Sequence, residues 1–494
     1  MYLKSPKKLF FTFCFFVVLL FSLNNYADTP ETSQDSRNFD SSQFVFKDGF
    51  VPLYLNTNEG RLLLLIDQFD QDFLYLGALA SGVGSNDIGL DRGQLGSTRL
   101  VNFRKNGNKV FLIHKNMSFR ASSNNVDETK SVRDAFAESI LWGFEILHHH
   151  DDGVIVDATD FYLEDAHGVA RRLSNTDQGK FKVDQSRSGL NFSMIKNFPK
   201  NTEVEAIITL KGEATGNFIK SVVPTPDAVT VRQRHSFVKL PDDDYKPRVF
   251  DPRAGFSGIS FMDFAAPIDR PIMKRFIARH RLLKKDPDAE MSEPIDPIIY
   301  YLDRGTPEPV RSALLEGGNW WNQAFEAAGF TNAFRVELAP EGMDFLDVRY
   351  NVIQWVHRST RGWSYGASVR DPRTGEILKG HVSLGSLRVR QDYLIAQGLL
   401  QPFEKDKPSD KRMLEMALAR LRQLSAHEIG HTIGLSHNFS SSAAGRSSVM
   451  DYPHPLITGN SEKLDFSNAY DDKIGAWDKL SLIHISEPTR LSGI

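Results

Sequence analysis

The stretch Ser425-Ala-His427-Glu428-Ile-Gly-His431-Thr-Ile-Gly434-Leu-Ser-His437-Asn438 constrains this chain more than any other. His427 and His431 stand four residues apart, which on an α-helix places them on one face, one turn above the other. Gly434 follows three residues later and can take a left-handed conformation that ends the helix and turns the chain. His437 then comes back to the same point from a different direction. Any fold must therefore supply a helix end carrying two imidazoles and a tight reversal that returns a third. Two imidazoles one turn apart can bind one Zn²⁺ at roughly 2.0–2.1 Å each, and three protein ligands leave a fourth position for water, as catalytic zinc sites do. Glu428 neighbours a ligand without being one. Its carboxylate can take a proton from a water whose pKa zinc lowers toward about 7, and pass it to a leaving amine.

The surrounding periodicity places this motif. A long helix is expected from about Ser409 to Leu435, with Met413, Met416, Ala417, Leu421, Leu424 and Ala426 as its apolar stripe. Ahead of it, Ile298 to Leu302 reads as an apolar strand. Thr306-Pro307-Glu308 reads as a helix start, followed by Val310, Leu314, Trp321, Phe325 and Ala328 near helical spacing and closed by Gly329. Trp320 and Trp321 read as packing residues. Phe334 to Leu338, Asp347 to Val356 and His381 to Leu384 read as strands, with Asp371-Pro-Arg-Thr-Gly375 as a turn. Residues 44–240 have a different character: short β-like runs such as Arg61 to Asp67, Phe73 to Leu79, Lys109 to His114 and Val204 to Leu210. A hairpin is expected over Ile146 to Val156, turning at Asp151-Asp152-Gly153. His148-His149-His150 lie on it, and adjacent strand residues point to alternate faces; they read as a polar hairpin edge. The Pro- and Asp-rich segment 241–256 is the expected linker. The fold class is therefore α+β: an antiparallel β-rich domain over 44–240, then a mixed sheet with the long helix over 257–479.

The ends differ from both halves. Lys4, Lys7 and Lys8 precede an apolar run from Leu9 to Leu23, and Asn24 to Ala27 turns polar. This layout predicts a secretory signal peptide over 1–27, with an uncleaved anchor as the alternative, and a polar lead-in over 28–43. Export implies a periplasmic or secreted protein with no stable membrane insertion after cleavage. The single cysteine, Cys14, falls in that run, so the mature chain would have neither disulfides nor a thiolate-bound metal. A formal net charge of −3 supplies no basic footprint for nucleic acid. No D-x-D-x-D-G calcium loop occurs.

Downstream of the motif comes Ser448-Val449-Met450-Asp451-Tyr452. Here the chain resembles the metzincin clan of zinc peptidases: Met450 matches the clan's methionine turn beneath the metal, and Tyr452 matches a tyrosine that some members place near it. Trp321 to Gly329, Asp371 to Ile377 and the zinc motif together resemble the bacterial met-zincin metalloproteases, which carry a β-rich N-terminal domain of unknown function. The resemblance spans about 44–479. It implies Zn²⁺ on His427, His431 and His437, Glu428 and Tyr452 as catalytic groups, and support from Gly434 and Met450. It also implies a polypeptide substrate bound by β-augmentation along an edge strand, for which His381, Val382, Ser383 and Leu384 are the candidates. Asn438 does not match the residue that marks the better-studied metzincins, so their specificities do not transfer. Residues 480–494 resemble translated sequencing-adaptor read-through, so the peptidase domain is expected to be incomplete and His484 to have no role. Two other readings stay open: a non-catalytic zinc- or partner-binding protein, and a zinc hydrolase acting on a non-peptide amide.

Overall fold

The computed structural model describes residues 39–150, 153–400, 411–459 and 464–485. The expected signal peptide, most of the lead-in, the Asp151-Asp152 turn and residues 486–494 lie outside them.

The N-terminal part is a sheet of thirteen strands joined by antiparallel pairings. Leu53, Leu62, Leu64, Phe73, Phe103 and Phe237 pack on one another in its core. The strand Asn201–Ala214 shows how its two faces differ. Ala206, Ile208 and Leu210 alternate onto an apolar cluster. Glu203 and Glu205, one residue out of phase, are also buried. Asn201 marks where that opposite face is covered: its side-chain amide donates to Leu346 O at 3.0 Å, in the second half of the chain. The hairpin carrying His148-His149-His150 pairs Ser139–His150 with Gly153–Asp157. Tyr245, in the segment expected as a linker, is buried with the Arg279 guanidinium 4.7 Å above its ring.

The second sheet has five strands in the order Phe334–Leu338, Ile298–Leu302, Asn351–Val356, Ile377–Gly385 and Tyr365–Arg370. The first four are parallel, and Tyr365–Arg370 runs antiparallel at the edge. This corrects one expectation. His381, Val382, Ser383 and Leu384 lie in an interior strand, hydrogen-bonded to Asn351–Val356 on one side and to Tyr365–Arg370 on the other. A strand paired along both edges has no free N–H or C=O row to offer a partner. Their apolar run is what a strand covered on both faces carries.

The helix expected from Thr306 starts later, at Val310, and breaks at Trp320–Trp321 into Val310–Asn319 and Asn322–Ala327. Pro309 lacks an N–H and disfavours helical backbone at Glu308, which delays the start. The break lets both indoles enter the core, and Trp321 Nε1 donates to Ala426 O at 2.8 Å. A further helix, Arg388–Leu400, lies against the histidine helix and has no counterpart in the sequence reading. The histidine helix itself runs Lys411–Thr432. Only one face is buried in its first turns. From Gln423 to Gly430 every residue is buried, so its C-terminal half enters the core.

The two halves meet through Leu74, Leu76, Leu100 and Val238 of the first sheet against Val369 of the second sheet and Val348 in the turn before the strand Asn351–Val356. Beside this contact Arg358 makes a bidentate pair with Asp91 at 2.7 and 2.9 Å, with side chains 2% and 6% exposed. Removing one partner of such a pair strands the other charge away from water. Arg358→Ala should therefore cost about 3–5 kcal/mol. The double change Arg358→Met/Asp91→Leu should recover most of that, as read by denaturant unfolding; equal loss in both would show that the charge pairing is not what matters there.

Candidate metal centre

The last two turns of the histidine helix present His427 and His431 on one face, as the four-residue spacing requires. The helix stops at Thr432. Gly434 has φ +115°, and a Cβ there would run into the Ala278 carbonyl and Phe256. The chain thus turns where only glycine is comfortable. Ser257 N donates to Gly434 O at 2.7 Å and Ser436 N to Gly255 O at 2.8 Å, fastening the reversal. His437 follows, and the three imidazoles each offer a nitrogen within 4.8 Å of the others. Among the described residues this is the only such group; His148, His149 and His150 do not form one.

Backbone carbonyls orient two of the rings. His427 Nδ1 lies 2.8 Å from Val449 O and His431 Nδ1 lies 2.8 Å from Leu435 O. A carbonyl can only accept, so both rings carry their proton on Nδ1 and keep the Nε2 lone pair free. His427 Nε2 is buried with no hydrogen-bond partner. His431 Nε2 faces His437 Nε2 at 3.1 Å. Nitrogens sharing one tetrahedral zinc at about 2.05 Å stand roughly 3.3 Å apart. Burial holds all three imidazoles below their usual pKa, which keeps them in the neutral form a metal requires. An orphaned buried nitrogen on His427, the Nε2 of His431 facing that of His437, and an all-nitrogen donor set fit a zinc ion.

Met450 is fully buried beneath the helix. A Cβ on Gly430 would collide with the Met450 thioether and crowd Trp321, so the glycine inside the motif makes room for the methionine. Tyr452 stands over the histidines, its ring centroid 4.5 Å from that of His437 and 5.1 Å from that of His427. Glu428 is 4% exposed. Burial pushes its carboxyl up to about 8, against the opposing pull of Arg420, the Gly366 N–H and Arg388.

The cleft beside the histidines is walled by Ser364, Tyr365, Gly366 and Arg370 of the edge strand and its approach. A Cβ on Gly366 would strike the Glu428 carbonyl and the His431 and Thr432 side chains, so strand and helix touch here. His381, by contrast, is turned away from the cleft: its Nε2 would lie 3.0 Å from a Cβ on Gly93, in the connection between Phe73–Ser81 and Arg99–Asn106. The edge strand beside the cleft is thus Tyr365–Arg370, not His381–Leu384.

The sequence reading also missed Asp478, on the short helix Ala476–Leu482. Its carboxylate accepts from Ser448 Oγ at 2.6 Å, Val449 N at 2.8 Å and Gly475 N at 3.0 Å. It therefore holds the turn whose Val449 carbonyl orients His427. An acid 26 residues beyond Tyr452 carries no spacing signal; only the tertiary fold reveals it.

Three outcomes are expected. Asp478→Ala should weaken zinc binding by about 10- to 100-fold, the usual cost of losing an outer partner, while His431→Ala should lose the metal altogether; unchanged affinity in a chelator competition would show that Asp478 plays no part. A carboxyl poised near 8 is mostly protonated at pH 7, and a nearby divalent cation favours its ionised form. Zinc binding at pH 7 should therefore release a proton, with affinity rising up to about pH 8 and levelling above. Calorimetry in buffers of different ionisation enthalpy measures this, and zero release would mean that Glu428 is already ionised.

No curated protein and no solved structure shows significant similarity to the chain. Family comparison matches residues 93–285 to a domain of unknown function (DUF5117) and residues 409–483 to Met-zincin. The second match contains His427, Glu428, His431, Gly434, His437, Met450, Tyr452 and Asp478, so the histidine helix, its reversal and the methionine turn together are a Met-zincin domain, carried behind a DUF5117 domain.

Proposed function

We propose that this chain is an exported zinc-dependent metallopeptidase that hydrolyses peptide bonds in polypeptide substrates. The convergence of His427, His431 and His437 beside the buried carboxyl of Glu428 is the observation that carries the reading. His427, His431 and His437 would hold the ion. Zinc, when bound, would supply Lewis acidity, making water more acidic and polarising a carbonyl.

The remaining chemistry belongs to the chain's own residues. The Glu428 carboxylate acts as general base, takes the proton of the attacking water and delivers it to the departing amine. A second-sphere acid of this kind is superfluous in a purely structural site, which favours catalysis over the binding-protein reading. Tyr452, hanging over the histidines, donates its hydroxyl proton to the oxygen on which charge develops. Gly434 and Met450 keep the ligands in place. Among the described residues Tyr365–Arg370 pairs with a strand on one side only, and its other edge would offer main-chain groups to an extended peptide, which favours a polypeptide over a small amide. Export rests on Lys4, Lys7 and Lys8 ahead of the apolar run 9–23. Among the described residues no helix is long and apolar enough to cross a membrane.

The test is cleavage of an unstructured protein by the zinc-loaded chain. Wild type should cut and a chelator should stop it. Glu428→Ala should retain zinc and lose about 10²- to 10⁴-fold in rate, and Tyr452→Phe should lose less with zinc unchanged. Cleavage that survives Glu428→Ala would remove the assigned base. Failure of every protein and peptide, alongside turnover of a non-peptide amide, would favour the amidohydrolase.

A further inference from the structure

Arg370, the last residue of the edge strand, lines the same cleft as His431, His437 and Glu428. Alternation along a strand puts residues 366, 368 and 370 on one face. Gly366 on that face touches the histidine helix, so Arg370 faces the cleft. Val369, out of phase, is buried against the first sheet. The Arg370 guanidinium donates through Nε to Ser368 Oγ at 2.6 Å, and among the described residues it makes no salt bridge. Burial lowers its pKa. Three other arginines of the second half are matched: Arg358 by Asp91, Arg373 by Asp371 and Arg388 by Asp392. A desolvated cation without a counter-charge is costly, and its Nη donors are left for whatever enters the cleft.

We infer that Arg370 is a specificity-determining residue that binds a carboxylate of the substrate, so that the site prefers peptides with an acidic side chain on the N-terminal side of the cleaved bond. This rests on the peptidase reading. The side follows from the strand's direction. Gly366 lies beside Glu428 and His431, so the reacting bond sits near it, and Arg370 lies four residues further along. A peptide pairing antiparallel, the stabler mode, runs the opposite way and lays residues ahead of that bond beside Arg370. Arginine suits the task because its planar fork meets a carboxylate in two parallel hydrogen bonds.

The experiment uses the zinc-loaded full chain and end-blocked quenched peptides in which Asp, Leu or Lys is walked through each position, with one neutral peptide left with a free C-terminus. Wild type should prefer Asp over Lys at least tenfold in kcat/KM at one or more positions N-terminal to the cut. Arg370→Gln should flatten the preference and Arg370→Glu should reverse it, with zinc content and melting temperature held. Cleavage with no such preference, or one shared by Arg370→Gln, overturns the inference and leaves the peptidase reading intact. A preference carried by the free C-terminus alone overturns it too. If no peptide is cut, the peptidase reading fails and binding decides Arg370: labelled acidic peptide held at least tenfold tighter than its lysine counterpart by wild type, and not by Arg370→Gln, upholds carboxylate recognition, and equal binding overturns it.

Discussion

The cleft depends on one backbone reversal. Two imidazoles on a helix face define a line, and a third must arrive from outside the helix to make a site open on one side. Gly434 permits that return at φ +115°, and the hydrogen bonds from Ser257 and Ser436 fix its direction. The reversal also frees the Leu435 carbonyl to orient His431. A side chain at position 434 would meet the Ala278 carbonyl and unseat the ligand, its orienting partner and the wall of the cleft together.

Beneath the ligands, rigidity is built from main-chain carbonyls and one buried carboxylate. Val449 O accepts from His427 and from Gln423 Nε2 at 3.0 Å, while Asp478 accepts from Ser448 Oγ and Val449 N of that turn. Oxygens on the backbone orient rings more firmly than mobile side chains do, because their positions are set by the fold itself. Met450 supplies an apolar, polarizable floor with no competing polar group. The same burial that orders the histidines raises the Glu428 carboxyl, so packing and chemistry at this site have one cause.

The N-terminal part bears on the cleft through the antiparallel hairpin of Tyr365–Arg370 and Ile377–Gly385, whose first strand lines the cleft. At one end of that hairpin, Ser359 N donates to Gly84 O at 2.8 Å, Trp363 N to Asn86 Oδ1 at 3.1 Å, and Arg358 pairs with Asp91. At the other end, Arg120 donates to the carbonyls of Pro372 and Arg373 at 2.5 and 2.9 Å. An edge strand bonded on one side only is free to slip or fray. Fastening both of its ends, with Val369 anchored in the apolar contact between them, holds it at a set distance from the histidine helix.

The sequence by itself determined the three clustered histidines, the neighbouring acid, the glycine turn and the α+β division of the chain. Each is written in local spacing: a four-residue step on a helix, a glycine where a helix must end, and a change from alternating to helical periodicity. The strand beside the cleft was not legible. His381–Leu384 carries the stronger apolar signal because it is central, and burial on both faces says nothing about which neighbour pairs at its edges. The helix start at Val310 and the break at Trp320–Trp321 escaped for a related reason, since prolines and core packing overrode a regular pattern. Asp478, Arg370 and the Asp91–Arg358 pair belong wholly to the tertiary structure. Each acts on residues tens to hundreds of positions away or on a cleft assembled from several segments, and such proximity is decided by which surfaces pack together, not by spacing along the chain.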